Sequence, residues 1–375
     1  MYYPIQCYIE LTKKCNLSCS HCFAEGSPTT SNELTLDDVK KIYSQIKNLG
    51  VIYVNISGGE PLLNNELFKI IEYAADQPYE TCLLTNGTLW NSDHIKKLKK
   101  SDPNNKITIQ ISMDGNFKTM LKHRNINKNQ YDNIFKTMKE LKLSGFKVTT
   151  LLVADTITAD NLIETAYELL RNNYVDSAQI VPLFITGRAL NNIELLDNFW
   201  KKWFNIVKEV TLIKKNSLWK ELSNRLNIGF FNFYELVIPL IESGLENEIY
   251  DTWGLNIYNL SEYRKQIRRN FYCEAGKSEL VISCDKEIFP CVASIRTKLK
   301  CGNINKYSIK NIWENSEILK YFRNNKSFLN LSEPCLSCKY KNFCGGGCKL
   351  TSLSLHNDLK HIDERCPIVV KYKKT

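Results

Sequence analysis

From Ile5 to about Phe184 the chain alternates short apolar runs with amphipathic stretches of helical period, which confines this part to a parallel α/β sheet covered by helices. Strands are expected over Ile5–Thr12, Val51–Ser57, Thr81–Asn86, Ile107–Met113, Phe146–Ala154 and Ser177–Phe184, with helices between them. The first helix has both ends written in the sequence. Thr35 caps it with Asp38 three residues on, Val39, Ile42, Tyr43, Ile46 and Leu49 make one apolar stripe, and Gly50 closes it. Ile134, Met138 and Leu141 mark a later helix that stops at Gly145. Six βα units are two short of a closed eight-stranded barrel, so residues 1–190 predict an open, partial (β/α)6 TIM barrel with its ligand at the carboxyl ends of the strands.

Residues 191–270 depart from this rhythm. They read as helical and aromatic-rich, with Phe199, Trp200, Trp203, Phe204, Trp219, Phe230, Phe231, Phe233 and Tyr234. Two readings stand: helices that pack on the barrel and bridge to the next domain, or a substrate-binding face. Residues 271–375 are dominated by cysteines. The 375 residues and 43% apolar content allow one large core and a smaller one. No run approaches the ~18 apolar residues of a membrane span, and Met1-Tyr2-Tyr3-Pro4 lacks the basic start of a signal peptide. The expected address is cytoplasmic, where fourteen cysteines point to metal or redox chemistry rather than disulfides. The net charge of +10 comes from lysines scattered among asparagines, which suits a solvated surface better than a nucleic-acid partner.

Cys15, Cys19 and Cys22 are spaced C-x3-C-x2-C on the loop leaving the first strand. Three thiolates are one short of a tetrahedral zinc site or a fully ligated 4Fe-4S cluster. Either His21 completes a zinc knuckle, or one iron of a cubane stays open to a small molecule. Strand two runs into Ser57-Gly58-Gly59-Glu60-Pro61, where two glycines admit close backbone approach and Glu60 can accept hydrogen bonds from an ammonium group; the plain reading is a turn. Strands three and four end in Thr85-Asn86-Gly87 and Ser112-Met113-Asp114-Gly115, again either ligand contacts or ordinary turns. The C-terminal cysteines run Cys335-x2-Cys338-x5-Cys344-x3-Cys348 and Cys366, preceded by Cys273 and Cys291, and by themselves they allow a zinc ribbon. Gly345-Gly346-Gly347 between two of them can aim backbone N–H groups at sulfur. Cys7 and Cys82 fall within predicted strands, either as buried, inert thiols or, facing the barrel interior, as hydrogen-atom donors.

The cysteine loop with Phe23 just after it, together with Gly58-Gly59-Glu60-Pro61, resembles the signatures of the radical S-adenosylmethionine (SAM) superfamily. The resemblance implies a 4Fe-4S cluster on Cys15, Cys19 and Cys22 whose open iron chelates SAM, and reductive cleavage to methionine and a 5'-deoxyadenosyl radical. It further implies SAM contacts from Phe23, Gly58, Gly59, Glu60, Pro61, Ser112, Asp114 and Arg124, although Asn125 stands where relatives carry a glycine. Gly187-Arg188-Ala189 resembles another recurring segment, while a loop arginine is ordinarily solvated.

The seven C-terminal cysteines, with Ile288-Phe289-Pro290-Cys291 and Gly302-Asn303-Ile304, resemble the SPASM domain, a carrier of two auxiliary 4Fe-4S clusters; Lys286 replaces a usual glycine. By that pattern Cys273, Cys291 and Cys348 hold one cluster, and Cys335, Cys338, Cys344 and Cys366 the other. The first lacks a fourth ligand, because the stretch Tyr263 to Asn270 has no cysteine. Either its iron stays open, or Cys284 or Cys301 fills it.

Enzymes of this kind act chiefly on ribosomally made precursor peptides, forming thioether or carbon-carbon cross-links by net two-electron oxidation. The expected function is therefore a peptide maturase. The alternatives are a peptide epimerase, a radical SAM oxidase of a sulfatase residue or haem precursor, and a non-enzymatic electron carrier. Only fourteen residues precede Cys15, so a separate leader-binding protein or the aromatic segment is expected to recognise the peptide, and a flavodoxin or ferredoxin to supply electrons.

Overall fold

The computed structural model describes residues 2–30, 32–192, 195, 198–216, 220–229, 234–255, 273–324, 331–366 and 368–369. Six strands form within a few residues of where the alternation puts them: β1 (Gln6–Glu10), β2 (Tyr53–Ser57), β3 (Glu80–Thr85), β4 (Thr108–Ser112), β5 (Val148–Ala154) and β6 (Ser177–Pro182). Consecutive strands pair in parallel. The helices between them are α1 (Leu36–Ile46), α2 (Leu67–Ala75), α3 (Ser92–Ser101), α4 (Phe117–Arg124), α5 (Lys128–Leu143) and α6 (Leu162–Arg171). At the start of α1 the Thr35 hydroxyl accepts the Asp38 N–H while the Asp38 carboxylate accepts the Thr35 N–H, closing a capping box. Its stripe of Val39, Ile42, Tyr43 and Ile46 is buried.

The sheet extends beyond this frame on both sides. β7 (Leu226–Ile228) adds in parallel to β6, and β8 (Glu279–Ile282) adds in parallel to β1, with Gln6 opposite both Tyr53 and Glu279. β9 (Glu287–Phe289) and β10 (Gly302–Asn303) continue antiparallel, giving the order β10-β9-β8-β1-β2-β3-β4-β5-β6-β7. The partial barrel is therefore open and is lengthened by strands from the stretches read as helical and as cysteine-rich. Strands of two to four residues are too short for a period-2 pattern to stand out.

Alternate residues of β1 serve the two faces of the sheet. Cys7 and Ile9 are buried in the main core, Cys7 beside Tyr43 of α1, whereas Tyr8 packs with Val281, Phe289 and Ile295 on the other face. The helix α7 (Phe199–Lys215) buries Phe199, Trp200 and Trp203, and the Trp203 indole N–H donates to the Glu235 carbonyl at 2.7 Å. These three aromatics are packed in the core. Trp219, Phe230, Phe231, Phe233, the side chain of Tyr234 and the stretch Tyr263 to Asn270 lie outside the described residues. Among the described residues no helix is long and apolar enough to cross a membrane.

Candidate active site and cysteine clusters

The loop after β1 brings Cys15, Cys19 and Cys22 together: burial pushes the Cys15 thiol up to about 12 and the Cys19 thiol up to about 11, with smaller upward effects of Cys19 and Cys22 on Cys15 and of Cys22 on Cys19. The loop is held from several sides. Gly59 and Glu60 donate their N–H groups to the carbonyls of Thr12 and Lys14, each at 2.7 Å. A Cβ on Gly58 would lie 2.5 Å from the Thr12 oxygen, and one on Gly59 2.2 Å from the Lys14 oxygen. What these glycines approach closely is thus the base of the cysteine loop. Arg188, read as a solvated loop arginine, instead donates Nε to the Cys19 carbonyl and Nη1 to the Gly26 carbonyl, both at 2.9 Å. At the end of α4, the His123 carbonyl accepts the N–H and hydroxyl of Ser20, and Asn125 donates to the Ser18 hydroxyl.

The motif carboxylates have specific work in this frame. Glu60 is fully buried; Oε1 accepts the Thr85 hydroxyl at 2.7 Å and Oε2 the Asn86 N–H at 2.8 Å, so it ties β2 to β3. Burial raises its pKa against these hydrogen bonds. Asn86 in turn lies 4.0 Å from the Cys15 sulfur and donates to Asn16. Asp114, also fully buried, takes His123 Nδ1 at 2.9 Å and Arg124 Nε at 2.5 Å on Oδ2, and the Val153 N–H at 2.8 Å on Oδ1. Burial pushes the Asp114 carboxyl up, but Arg124 and His123 outweigh it and hold it well below the usual range. Asp114 therefore acts within the structure by aiming Arg124, which stands beside Cys19. Pro61 opens a single turn, Ser112 ends β4 half-buried, and the Phe23 ring meets Phe184 edge-on at 5.7 Å.

His123 and Asp155 complete this network and gave no local signal in the sequence, and His21, weighed there as a zinc ligand, joins it by stacking on His123. His123 Nε2 lies 2.7 Å from Asp155 Oδ2, and its ring stacks on His21 at 3.8 Å. Burial favours neutral His123, yet the two carboxylates prevail and raise it to about 8. On the interior face of β1, buried Glu10 pairs with Arg296 and accepts the Cys284 N–H at 3.1 Å.

The C-terminal cysteines gather as two sets. Cys335, Cys338, Cys344 and Cys366 line one cavity, walled by Ile238, Tyr340 and Val369. Cys273, Cys291 and Cys348 lie together: beneath the larger effect of burial, Cys348 raises the Cys273 thiol, and Cys273 and Cys348 raise the Cys291 thiol. The glycines at 345, 346 and 347 all have φ between +60° and +84°, which side chains rarely adopt, and a Cβ on Gly347 would lie 2.2 Å from that of Asp363. This contact places Asp363 Oδ2 to accept the Cys348 N–H at 2.9 Å. Asp363 and Glu235 both pair with Arg365, which donates to the Leu183 carbonyl just beyond β6. The strongest neighbours of Cys284 are Glu10, Asp285 and Arg296, and those of Cys301 are Ser316 and Arg323. Cys7 is fully buried, and Cys82 half-buried with its thiol pushed up to about 12 by burial.

Sulfur spacing tests what these sets can hold. A tetrahedral zinc with Zn–S near 2.3 Å needs sulfurs about 3.8 Å apart. Among the described residues the only groups of three ligand atoms mutually within 4.8 Å are His21, Asp114, His123 and His356, His361, Glu364, so every cysteine set is wider than one zinc ion requires. The His21 ring stacks on His123 and does not close a zinc knuckle with the thiols. All-thiol sets of three and four suit iron-sulfur clusters, and a cluster held by the set of three after β1 would keep one iron open.

Comparison with known proteins agrees. Residues 9–169 match the family model of the radical SAM superfamily, and residues 273–339 match that of SPASM, an iron-sulfur cluster-binding domain. The chain is 25% identical to the mycofactocin maturase MftC of Mycolicibacterium smegmatis, over 97% of this chain and 82% of that one. It is 24% identical to the PqqA peptide cyclase of Bradyrhizobium diazoefficiens over 97% and 86%, and 25% identical to the AdoMet-dependent heme synthase of Methanosarcina barkeri over 95% and 94%. Its fold is similar to that of Streptococcus suis SuiB, with a TM-score of 0.72 and 20% identity over 97% of this chain and 77% of SuiB. From the cysteine loop on its partial barrel to the cysteine-rich C-terminal module, the chain belongs to the radical SAM superfamily and is a SPASM-type enzyme of it, built for 4Fe-4S clusters and SAM.

Proposed function

We propose that this enzyme matures a ribosomally made precursor peptide, forming a thioether or carbon-carbon cross-link by net two-electron oxidation. Cys15, Cys19 and Cys22 would hold the cluster, which when bound would supply one-electron cleavage of SAM and, through it, hydrogen-atom abstraction from the peptide. The chain's own residues orient the reactants. Arg124, fixed by Asp114, meets the SAM carboxylate; Glu60 and Pro61 fix the turn that presents the amino group; Gly58 and Gly59 seat that turn on the loop; Phe23 and Ser112 flank the remainder.

The observation that carries this reading is the pair of further cysteine sets in the C-terminal module. An oxidised product requires an electron to leave the substrate, and two auxiliary clusters give it a path. In this reading Cys335, Cys338, Cys344 and Cys366 hold one cluster, and Cys273, Cys291 and Cys348 the other with one iron left open; the charges that act on Cys284 and Cys301 come from residues outside that set. The barrel of 1–190, the bridging segment of 191–270 and the module of 271–375 then divide the work. The names of MftC and the PqqA peptide cyclase, and the complex of SuiB with the precursor peptide SuiA, support a peptide substrate. A flavodoxin or ferredoxin supplies the first electron, and a separate leader-binding protein presents the peptide in the cytoplasm.

A haem-precursor oxidase is the second reading, favoured by the match to the heme synthase. The test is anaerobic turnover of iron-reconstituted enzyme with SAM, a strong reductant and the peptide encoded beside the gene, in heavy water. Loss of two hydrogens from the peptide with 5'-deoxyadenosine formed is the expected result. One deuterium gained without oxidation makes the enzyme an epimerase, and deoxyadenosine beside an untouched peptide overturns the peptide reading.

A further inference from the structure

We propose that His356, His361 and Glu364 form a divalent-metal site, a zinc clamp separate from the iron-sulfur cysteines, on the loop that joins Cys348 to Cys366. His356 ends the helix Lys349–His356, and the chain reverses through Asn357, whose φ is +55°, to bring His361 and Glu364 back beside it. His356 Nε2 lies 2.6 Å from Glu364 Oε1, the two imidazoles stack at 3.6 Å between centroids, and one ligand atom from each residue falls within 4.8 Å of the others. Two imidazoles bound at 2.0–2.1 Å to a tetrahedral zinc hold their nitrogens about 3.3 Å apart, so small side-chain rotations complete the site.

Three features favour an ion over a chance cluster. Two histidines and a glutamate are a donor set suited to zinc and similar borderline metals, with a fourth position left for water. His361 is oriented from behind: its Nδ1 lies 3.4 Å from the Ile362 carbonyl, leaving Nε2 for a metal, and the Ser352 hydroxyl fixes its backbone by donating to the His361 carbonyl at 2.7 Å. The His356 and Glu364 side chains are 27% and 28% exposed, open enough for an ion to enter, and the carboxyl end of the helix favours positive charge.

The placement assigns the clamp a purpose. The loop it would pin carries Asp363, which holds the Cys348 N–H, and Cys366, which lines the other cysteine cavity. A metal here fixes the two cysteine sets relative to each other.

The experiment uses the full chain, reconstituted anaerobically with iron and sulfide so that its cysteines are occupied, then given zinc and desalted. Elemental analysis should find about one zinc per chain, and zinc X-ray absorption a shell of nitrogen and oxygen near 2.0 Å without sulfur near 2.3 Å. His361→Ala should weaken zinc retention at least tenfold while iron content stays at the wild-type level. Should His361→Ala lose iron as well, Glu364→Gln gives the same reading with less disturbance. Failure of the wild-type chain to retain zinc, a sulfur shell, or unchanged retention in both variants would overturn the proposal.

Discussion

The cysteine loop of the barrel and the cysteine sets of the C-terminal module are built in opposite ways. The loop is clamped by carbonyls, by Arg188, by the end of α4 and by the Gly58-Gly59 turn, all resting on a long parallel sheet. Its shape is defined before any iron arrives. The C-terminal cysteines lie on short helices, tight glycine turns and loops, and Cys273, Cys291 and Cys348 surround a small core of Ala275, Ala293, Leu299, Phe322, Leu350 and Leu353. There the ligands hold much of the structure together, and metal binding contributes directly to folding. In the proposed reading iron is a reagent in the first region and, besides carrying electrons, part of the scaffold in the second.

The largest expected effect divides the two regions by substitution. Cys19→Ala should reduce deoxyadenosine formation to background while the C-terminal clusters still load, whereas Cys335→Ala should keep SAM cleavage and lose the oxidised peptide; chromatography of both products reads the pair. Removal of iron by chelation should next expose residues 331–366 to limited proteolysis well before the barrel is cut, and equal cutting of both regions would break the comparison. Asp114→Asn releases Arg124 and should lower SAM cleavage about 10–100-fold, the usual cost of losing an orienting partner, with iron content unchanged.

The smallest effect is a pH dependence confined to the barrel. His123 has a folded pKa raised to about 8, so its contribution is complete below its unfolded value near 6.5 and is lost as pH rises through about 8. Melting of the iron-free chain should show a loss on the order of 1–2 kcal/mol across that window, and His123→Gln should remove the slope.

What could be read in the sequence was what is local in the chain. The six strands, the Thr35 capping box and the spacing of the cysteines are set by neighbours in sequence, and each stands within a few residues of its expected place. His123 and Asp155 were invisible because their meaning is tertiary: His123 becomes a bridge only when β4 and β5 lie side by side and bring Asp114 and Asp155 to opposite edges of its ring. Arg188 and Arg296 are surface-like letters that become clamps through carbonyls and a carboxylate far away in the chain. The partnership of Cys348 with Asp363 likewise depends on a close approach that only three consecutive left-handed glycines permit.

The pairing of β1 with β8 sets a schedule for synthesis. Residue 6 meets residue 279, so on the ribosome one edge of β1 stays bare while some 270 residues are added, on the order of 15–50 s at bacterial and eukaryotic elongation rates. During that interval the strand that leads into Cys15 presents unpaired N–H and C=O groups, a template for wrong pairing between nascent chains. The segment that brings the auxiliary cysteines is thus also the barrel's seal, and a truncated product lacking it would be an aggregation hazard rather than a simpler enzyme.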